Sequence, residues 1–447
     1  MKNIPRLVIT GTGSNVGKTI VSCAIIYGLQ KKGYAIQPFK TGPDYIDAGY
    51  LSSVAGRQAC NLDVWLMGKS GVLESLVRNS TSDISLIEGV MGFYDGIDGS
   101  KSLASTYQLC HITRTPAILV VDVGGVGRSV AATILGFIKF NKNTPIAGII
   151  LNRVGSERHK KICADAIKPL NIDVLGAIPK NITQLKSRHL GLIPVMESNK
   201  NNNIKKIVRE IHDYLDINKI IKIAKSARPV RTYKNNKKTK PRTAIGIALD
   251  GSFNFYYKDN FEKLKNNGAQ LKFFSPETSG RIPDINGLYI GGGFPEVRGS
   301  VLEKNYAIIN EIKSTIQSGM PTYAECGGLI YLGKSLQYDS KRYNMAGIID
   351  GHTFMTKKAT LNYTKGIMHN SILSDGISKF NGHEFHYSSM HIDSDSKFAQ
   401  KLQRGVGITQ KKDGVLVYNA MASYGHLYFS DKMAKNIIKK CVKFSRR

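Results

Sequence analysis

The sequence predicts two α/β domains, the first built on a parallel sheet. Three observations predict it. Short apolar runs bounded by Gly, Pro or Asn recur with helix-length segments between them. A glycine-rich loop separates the first run from a segment with helical periodicity, and the whole rhythm stops near residue 198 and restarts at 243.

The first strand is expected over residues 7–10, closed by glycines, and the first helix over 16–31. Further strands are expected at 85–87, 117–123, 146–151 and 174–178, the last ending at Pro179. Apolar runs with no polar alternation belong to strands buried on both faces, as in parallel sheets. Residues 198–240 break the pattern with an Asn/Lys cluster (199–206), a helix near 207–223 and a basic, Pro-containing run. They read as the inter-domain connection. New strand-like runs follow at 243–249, 287–290 and 321–324. The expected boundaries are therefore 1–197 for the first domain, 198–242 for the helix and basic linker, and 243–447 for the second domain.

The 447 residues are 42% apolar and 21% charged, a globular composition with material for more than one core. No run of 18 apolar residues exists, so no transmembrane helix is expected, and the apolar stretch at residues 7–9 is too short for a signal-peptide core. Six scattered cysteines without a Cys-x-x-Cys pair exclude a zinc ribbon, argue against a disulfide framework, and point to a reducing, cytoplasmic setting. Lys and Arg number 63 against 33 Asp and Glu, a net charge of +30. The basic run from Arg228 to Arg242 carries seven cations interleaved with Asn, Thr and Pro, and Tyr233 is its one aromatic residue. A base-stacking surface needs more aromatic residues than that, so nucleic acid is not the expected partner.

Gly11-Thr12-Gly13-Ser14-Asn15-Val16-Gly17-Lys18-Thr19 lies between the first strand and first helix. Glycines let backbone N–H groups of Gly13, Ser14, Asn15 and Gly17 wrap a phosphate, Lys18 neutralises its charge, and Thr19 suits Mg²⁺. Thr12 stands where such loops usually have their first Gly. Carboxylates for the cation are expected from Lys40-Thr41-Gly42-Pro43-Asp44-Tyr45-Ile46-Asp47 and from Ile87-Glu88-Gly89-Val90-Met91-Gly92-Phe93-Tyr94-Asp95-Gly96, whose bland reading is solvated loop acids. Asp122 reads equally as a switch residue or a helix cap, and Asn152 as a purine-reading amide or a turn former.

The second domain carries Pro321-Thr322-Tyr323-Ala324-Glu325-Cys326-Gly327-Gly328-Leu329, an apolar run, a cysteine among small residues and an apolar helix. That is the layout of a nucleophile elbow. His426 is the candidate base, and Gly291-Gly292-Gly293 offers backbone N–H groups for an oxyanion. The segment Asn381-Gly382-His383-Glu384-Phe385-His386-Tyr387-Ser388 does not have zinc-protease spacing, and reads as a substrate contact or a buried polar network.

Taken together, these residues resemble known families. The first domain is similar to the dethiobiotin-synthetase-like P-loop amidoligases and the second to the class I glutamine amidotransferases. Residues Phe39 to Asp47, Glu88 to Gly96 and Tyr323 to Leu329 together resemble the cobyrinate a,c-diamide synthase family, and the likeness spans nearly the whole chain. The resemblance implies a two-site ligase with glutamine and a tetrapyrrole polycarboxylate as substrates, and a homodimer is one assembly it allows. Cys326 would release ammonia from glutamine with His426 as base and acid, Gly292 and Gly293 holding the oxyanion. ATP would lie on Gly13, Ser14, Asn15, Gly17, Lys18, Thr19 and Asn152, with Mg²⁺ among Thr19, Asp47 and Glu88. Lys18 and Lys40 would stabilise phosphoryl charge, and Asp44 and Tyr45 would face the tetrapyrrole.

The sequence departs from those families at two points. Tyr428 stands two residues after His426, where class I enzymes often have Glu, so the third member of the site is absent or supplied elsewhere. Ala324 replaces the first Gly of the general elbow. The rival substrates for the same machinery are nickel-sirohydrochlorin and hydrogenobyrinic acid. Cobyric acid synthase fits the stretch from Glu88 to Gly96 less well. A partition-type DNA-binding P-loop ATPase would explain the charge but not Cys326, His426 and the glycine run.

Overall fold

A strand covered on both faces must be apolar along its length, and β1 (Arg6–Gly11) is buried at every position. This computed structural model describes residues 1–182, 187–188, 191–192, 201–231 and 239–446. It divides into two units, Met1–Asn235 and Asn236–Arg447.

In the first unit β1 is followed by α1 (Lys18–Lys31), β2 (Ile36–Thr41), α2 (Ile46–Ala55), β3 (Cys60–Leu62), α3 (Val64–Asn79) and β4 (Ile84–Glu88). Then come α4 (Thr106–Thr113), β5 (Ala117–Asp122), α5 (Val130–Lys139), β6 (Ile146–Val154), α6 (Glu157–Ile167) and β7 (Val174–Pro179). A two-residue pairing of β8 (Ser187–Arg188) with β9 (Gly191–Leu192) precedes α7 (Asn201–His212) and α8 (Ile217–Lys225). Strands β1 to β7 form one parallel sheet in the order β3-β2-β4-β1-β5-β6-β7. Alternation divides the core between its faces: Leu7, Ile9, Ile118 and Val120 join α1 on one, while Val8, Leu119 and Val121 join Ile134 and Cys163 on the other. The register sets Lys40 beside Glu88, and Glu88 beside Ile9, at the carboxyl ends of adjacent strands. In an open parallel sheet that is where ligands bind.

The strands expected from sequence at 7–10, 85–87, 146–151 and 174–178 lie inside β1, β4, β6 and β7, and β5 covers 117–122. The single helix expected near 207–223 is instead two helices, because Asp216 Oδ1 accepts from Lys219 N and starts α8 anew. These helices do more than connect. Ile204, Val208, Ile211, Ile217, Ile220 and Ala224 are buried in the same core as α1. Beyond them Val230 pairs with Lys2. Residues 199–200 of the Asn/Lys cluster, and residues 232–238 of the basic run with Tyr233, lie outside the described residues.

The second unit begins with β10 (Thr243–Ala248), α9 (Lys258–Asn266), β11 (Ala269–Phe274), β12 (Gly287–Ile290), α10 (Gly299–Lys304), α11 (Tyr306–Gln317), β13 (Thr322–Glu325) and α12 (Gly327–Leu332). It continues through β14 (Ser335–Tyr338), β15 (Lys341–Asn344), β16 (Gly351–Met368), β17 (Ser378–Ile392), β18 (Lys397–Arg404), β19 (Lys412–Val417), β20 (Ala420–Ser423), β21 (Gly425–Leu427) and α13 (Asp431–Phe444). Strands β11-β10-β12-β13-β20 are parallel, and β19, β18 and β16 extend the sheet antiparallel. The long β16–β17 hairpin brings β17 against β21. Among the described residues no helix is long and apolar enough to cross a membrane.

The packing of α8 is testable. Ile220 is fully buried, so Ile220→Ala should cost about 2–5 kcal/mol of first-unit stability, seen as a lower urea midpoint. A midpoint equal to wild type would mean that α8 is a tether and not part of the core.

Candidate active sites

The first site grows from the loop between β1 and α1. Gly17 takes φ 93°, a left-handed conformation that glycine adopts without strain, and the chain turns there into α1. Gly13 is half-buried while Ser14 and Asn15 are exposed, so the loop presents itself to solvent. Lys18 folds back, its Nζ donating to Gly13 O at 2.7 Å. Burial, and then the neighbouring Lys40, pull the Lys18 ammonium down to about 8, a position in which an added anion would be welcome.

Beneath the loop lies a charged cluster. Lys40 Nζ donates to Glu88 Oε1 at 2.9 Å and to Gly89 O at 3.0 Å, and sits 3.1 Å from Asp47 Oδ2 and 3.8 Å from Asp44 Oδ2. Burial disfavours the Lys40 ammonium, but Glu88, Asp47 and Asp44 outweigh it and hold it protonated. Burial and then the adjacent Asp47 push Asp44 up to about 7 against the pull of Lys40. Asp47 itself, although buried, is held below the usual carboxylate range by Lys40. Burial raises Glu88. Thr19 Oγ1 donates to Glu88 Oε1 at 2.9 Å, while Glu88 Oε2 is buried without a hydrogen-bond partner among the described residues. Asp44 Oδ1 accepts from Ile46 N and Asp47 N and so starts α2, and Tyr45, half-buried, lies beside it.

The structure thus gathers Lys18, Thr19, Lys40, Asp44, Asp47 and Glu88. The Asn152 amide lies on β6, its Oδ1 without a hydrogen-bond partner among the described residues. It is fully buried under the loop, donating from Nδ2 to Val16 O at 2.9 Å. Asp122 caps no helix. It pairs with Arg153, whose Nη2 donates to Asn15 O at 2.8 Å and braces the loop. Arg153 carried no sequence signal beyond standing next to Asn152.

The second site is assembled at the ends of β12, β13 and β21. Cys326, at φ 48° and ψ −98°, makes the sharp turn from β13 into α12. Its N–H donates to Ser423 O at 2.7 Å, and its Sγ lies 3.6 Å from Phe385 O. Burial, and then Glu296, push the thiol well up, so a thiolate here needs a nearby cation. A methyl placed on Gly292 would meet His426 Cε1 at 2.4 Å, His426 Nε2 at 3.2 Å and Cys326 Cβ at 3.4 Å, so one small space separates all three residues. At Gly293, φ 154°, a methyl would lie 2.1 Å from Ser252 O, and glycine alone lets the strand end pass that carbonyl. Gly292 O is held by the N–H groups of Asn254 and Phe255, each at 3.0 Å.

Around His426 the rings stack. His383 lies parallel to it at 4.7 Å, and His386 lies 3.8 Å from Tyr424. Burial pulls His386 down to about 4. Glu384 accepts from Asn362 Nδ2, Val406 N and Gly407 N. Of the two readings of residues 381–388, the buried polar network is what the structure holds. Tyr428 donates to Asp259 Oδ2 at 2.9 Å. Asp413 was not legible as part of this site, since Lys412-Asp413-Gly414 reads as a solvated turn. It is buried, pushed up to about 7 by that burial, and accepts from Gly414, Tyr424 and Gly425 N–H groups, fixing the chain that enters β21.

A phosphate loop on a parallel sheet and a cysteine elbow facing a histidine on a mixed sheet define a nucleotide-binding domain joined to a glutamine amidotransferase domain. Family models agree: residues 7–194 match the CobQ/CobB/MinD/ParA nucleotide binding domain, and residues 244–434 the CobB/CobQ-like glutamine amidotransferase domain. The chain is 39% identical to "Cobyrinate a,c-diamide synthase" of Archaeoglobus fulgidus over 99% of this chain and 98% of the relative. It is 37% identical to the protein of that name from Methanosarcina barkeri, over 96% and 94%, and 38% identical to that of Priestia megaterium, over 98% and 97%. The chain belongs to the cobyrinate a,c-diamide synthase family, and it is an amide ligase of the glutamine amidotransferase class.

Gly292→Ala tests the shared space. The added methyl collides with His426 Cε1, so glutamine hydrolysis should fall by about 10²-fold or more while the melting temperature changes little. Wild-type hydrolysis would show that catalysis does not use this space.

Proposed function

We propose that the chain amidates the a- and c-side-chain carboxylates of cobyrinic acid, using ATP and the ammonia of glutamine. The observation that carries this reading is one chain holding both halves of such a reaction. The phosphate loop adjoins the Lys40–Asp47–Glu88 cluster in one unit, and Cys326, His426 and Gly292 converge in the other.

In the second unit Cys326 Sγ would attack the glutamine side-chain carbonyl. His426 would take the thiol proton and pass it to the departing ammonia, leaving a thioester that water hydrolyses to glutamate. The tetrahedral oxyanion would lie against the backbone of Gly292 and Gly293. In the first unit a substrate carboxylate oxygen would attack the γ-phosphorus of ATP, with ADP leaving. Ammonia would then attack the acyl carbon, phosphate would leave, and the nitrogen would lose a proton to give the amide. A carboxylate is a poor electrophile, and phosphorylation converts its oxygen into a leaving group. Lys18 and Lys40 would hold phosphoryl charge, Gly13, Ser14, Asn15 and Gly17 would offer backbone N–H groups, and Asn152 would support the loop from beneath. Asp44 and Tyr45, at the start of α2, would face the tetrapyrrole.

A hard cation fits the residues present. Thr19 and Glu88 touch, and Glu88 Oε2 is an oxygen without a partner among the described residues. No group of three or more His, Cys, Asp or Glu side chains among the described residues could by itself hold a metal. Mg²⁺ is held in this sparse way when phosphates and waters complete its shell. Thr19, Glu88 and Asp47 would hold it, and bound there it would neutralise charge on the β- and γ-phosphates.

Two variants separate the halves. Cys326→Ser should abolish glutamine-dependent amidation and retain amidation from high ammonium. Lys18→Ala should lose about 10²-fold or more with either nitrogen source, since phosphoryl activation precedes both. Products from cobyrinic acid and from nickel-sirohydrochlorin, resolved by mass spectrometry, identify the substrate. A correctly folded Cys326→Ser that ammonium does not rescue would overturn the division of labour, and near wild-type turnover of Lys18→Ala would overturn the phosphate-loop assignment.

A further inference from the structure

The position two residues after His426, where a carboxylate would orient the imidazole in related sites, holds Tyr428, and that hydroxyl is committed to Asp259. A carboxylate nevertheless lies at His426. It comes from the other end of the site, from Glu325 at the last position of β13, directly before the nucleophile. Glu325 Oε2 is 3.8 Å from His426 Nδ1, with both side chains about 1% exposed.

We propose that Glu325 is the positioning carboxylate of His426, engaging Nδ1 while the Nε2 side of the ring borders Cys326. The proposal rests on the reading of Cys326 as nucleophile and His426 as its base.

Three features carry it. The first is ring orientation. The Cε1 and Nε2 atoms approach the space shared with Gly292 and Cys326, and Nδ1 approaches Glu325. A general base needs one nitrogen toward the nucleophile and the other held by an orienting group.

The second is how firmly Glu325 is itself held. Its Oε1 accepts from Tyr323 Oη at 2.7 Å and from Leu427 N at 2.9 Å, and its Oε2 accepts from Tyr289 Oη at 2.9 Å. Leu427 directly follows His426 on β21, so the same carboxylate ties down the backbone that carries the base. Tyr323 and Glu325 are two residues apart on one strand and therefore share a face.

The third is charge. A buried carboxylate is costly unless hydrogen-bonded and paired. Its three hydrogen-bond donors are neutral. Among the described residues the ion-pair partner at Glu325 is His426, which becomes a cation when it takes the thiol proton. At that step the 3.8 Å contact becomes an attraction between opposite charges. It favours the imidazolium of the thiolate–imidazolium pair, against the burial of Cys326 and the smaller repulsion that Glu325 itself exerts on the thiolate.

The test is Glu325→Gln in the full chain, which keeps the size and most of the hydrogen bonding but removes the charge. Four quantities are read: kcat and KM for glutamine hydrolysis, the pH dependence of Cys326 alkylation by iodoacetamide, and the melting temperature. The expected result is a kcat lower by about 10²- to 10⁴-fold with KM nearly unchanged. The alkylation profile should move to higher pH, because the attraction lost at an imidazolium 3.8 Å away exceeds the smaller repulsion that Glu325 exerts on the Cys326 thiolate. His383 stacked on His426, His386 nearby, and Glu296 and Asp413 acting on Cys326 all remain in the variant, so the movement reports Glu325. Tyr289→Phe combined with Tyr323→Phe removes two hydrogen bonds to Glu325 but no charge. It should leave the profile in place, whereas a profile displaced as far as that of Glu325→Gln would assign Glu325 a structural role and overturn the proposal.

If Glu325→Gln does not fold, Glu325→Asp decides. It withdraws the carboxylate by one methylene, and a smaller movement in the same direction is expected. A wild-type kcat and profile in whichever variant folds overturns the inference. Cys326→Ser separates this from failure of the underlying reading. If that variant still hydrolyses glutamine, the site itself is wrongly assigned. If it is inactive while Glu325→Gln behaves as wild type, the positioning role alone is lost.

Discussion

Parallel strands all deliver their carboxyl ends to the same edge of a sheet, and both sites of this chain depend on that constraint. In the first unit the pairing of β2 with β4, and of β4 with β1, lines up Lys40, Glu88 and the start of the phosphate loop. In the second, β12, β13 and β20 run parallel, so the glycines after β12, the cysteine after β13 and the approach to β21 meet at one edge. A register slip of one residue would turn Lys40 or Glu325 to the opposite face. Continuous apolar runs buried on both faces oppose that slip.

The two sites manage buried charge in opposite ways. The first concentrates it: Lys40 is surrounded by three carboxylates, and burial and mutual repulsion set Asp44 and Asp47 apart in proton affinity. In such a cluster an added charge would redistribute protons among its carboxylates. The second keeps charge scarce. Cys326, His383, His426 and Glu325 are nearly solvent-free, and burial pushes the thiol up and His383 down, each toward its neutral form. A group that becomes charged there depends on its immediate neighbours, which is why the placement of one carboxylate matters.

Much of this was legible in sequence because it is local. Gly11 through Thr19 can wrap a phosphate wherever it occurs between a strand and a helix, and a cysteine among small residues after an apolar run forms an elbow through its own backbone. The helices α7 and α8 were legible as helix but not as core. Their apolar stripe is visible in the sequence, while the face of α1 that covers it is not. The β16–β17 hairpin gave little signal, since its long strands bury Thr353, Thr364, His383, Glu384 and His386, polar residues that only neighbouring strands cover, among exposed lysines.

The sequence by itself determined two α/β units, the phosphate loop, the candidate nucleophile and its candidate base, because each follows from residues close together in the chain. Tertiary structure alone decided what those residues face. It set Asn152 under the loop and Arg153 against Asn15, made Asp413 a buried anchor, and brought Glu325 to His426 across a separation of about a hundred residues. Spacing along a chain does not encode such meetings. They arise when strands distant in sequence become neighbours in a sheet, and burial then gives a carboxylate or an amide a partner that its own segment does not name.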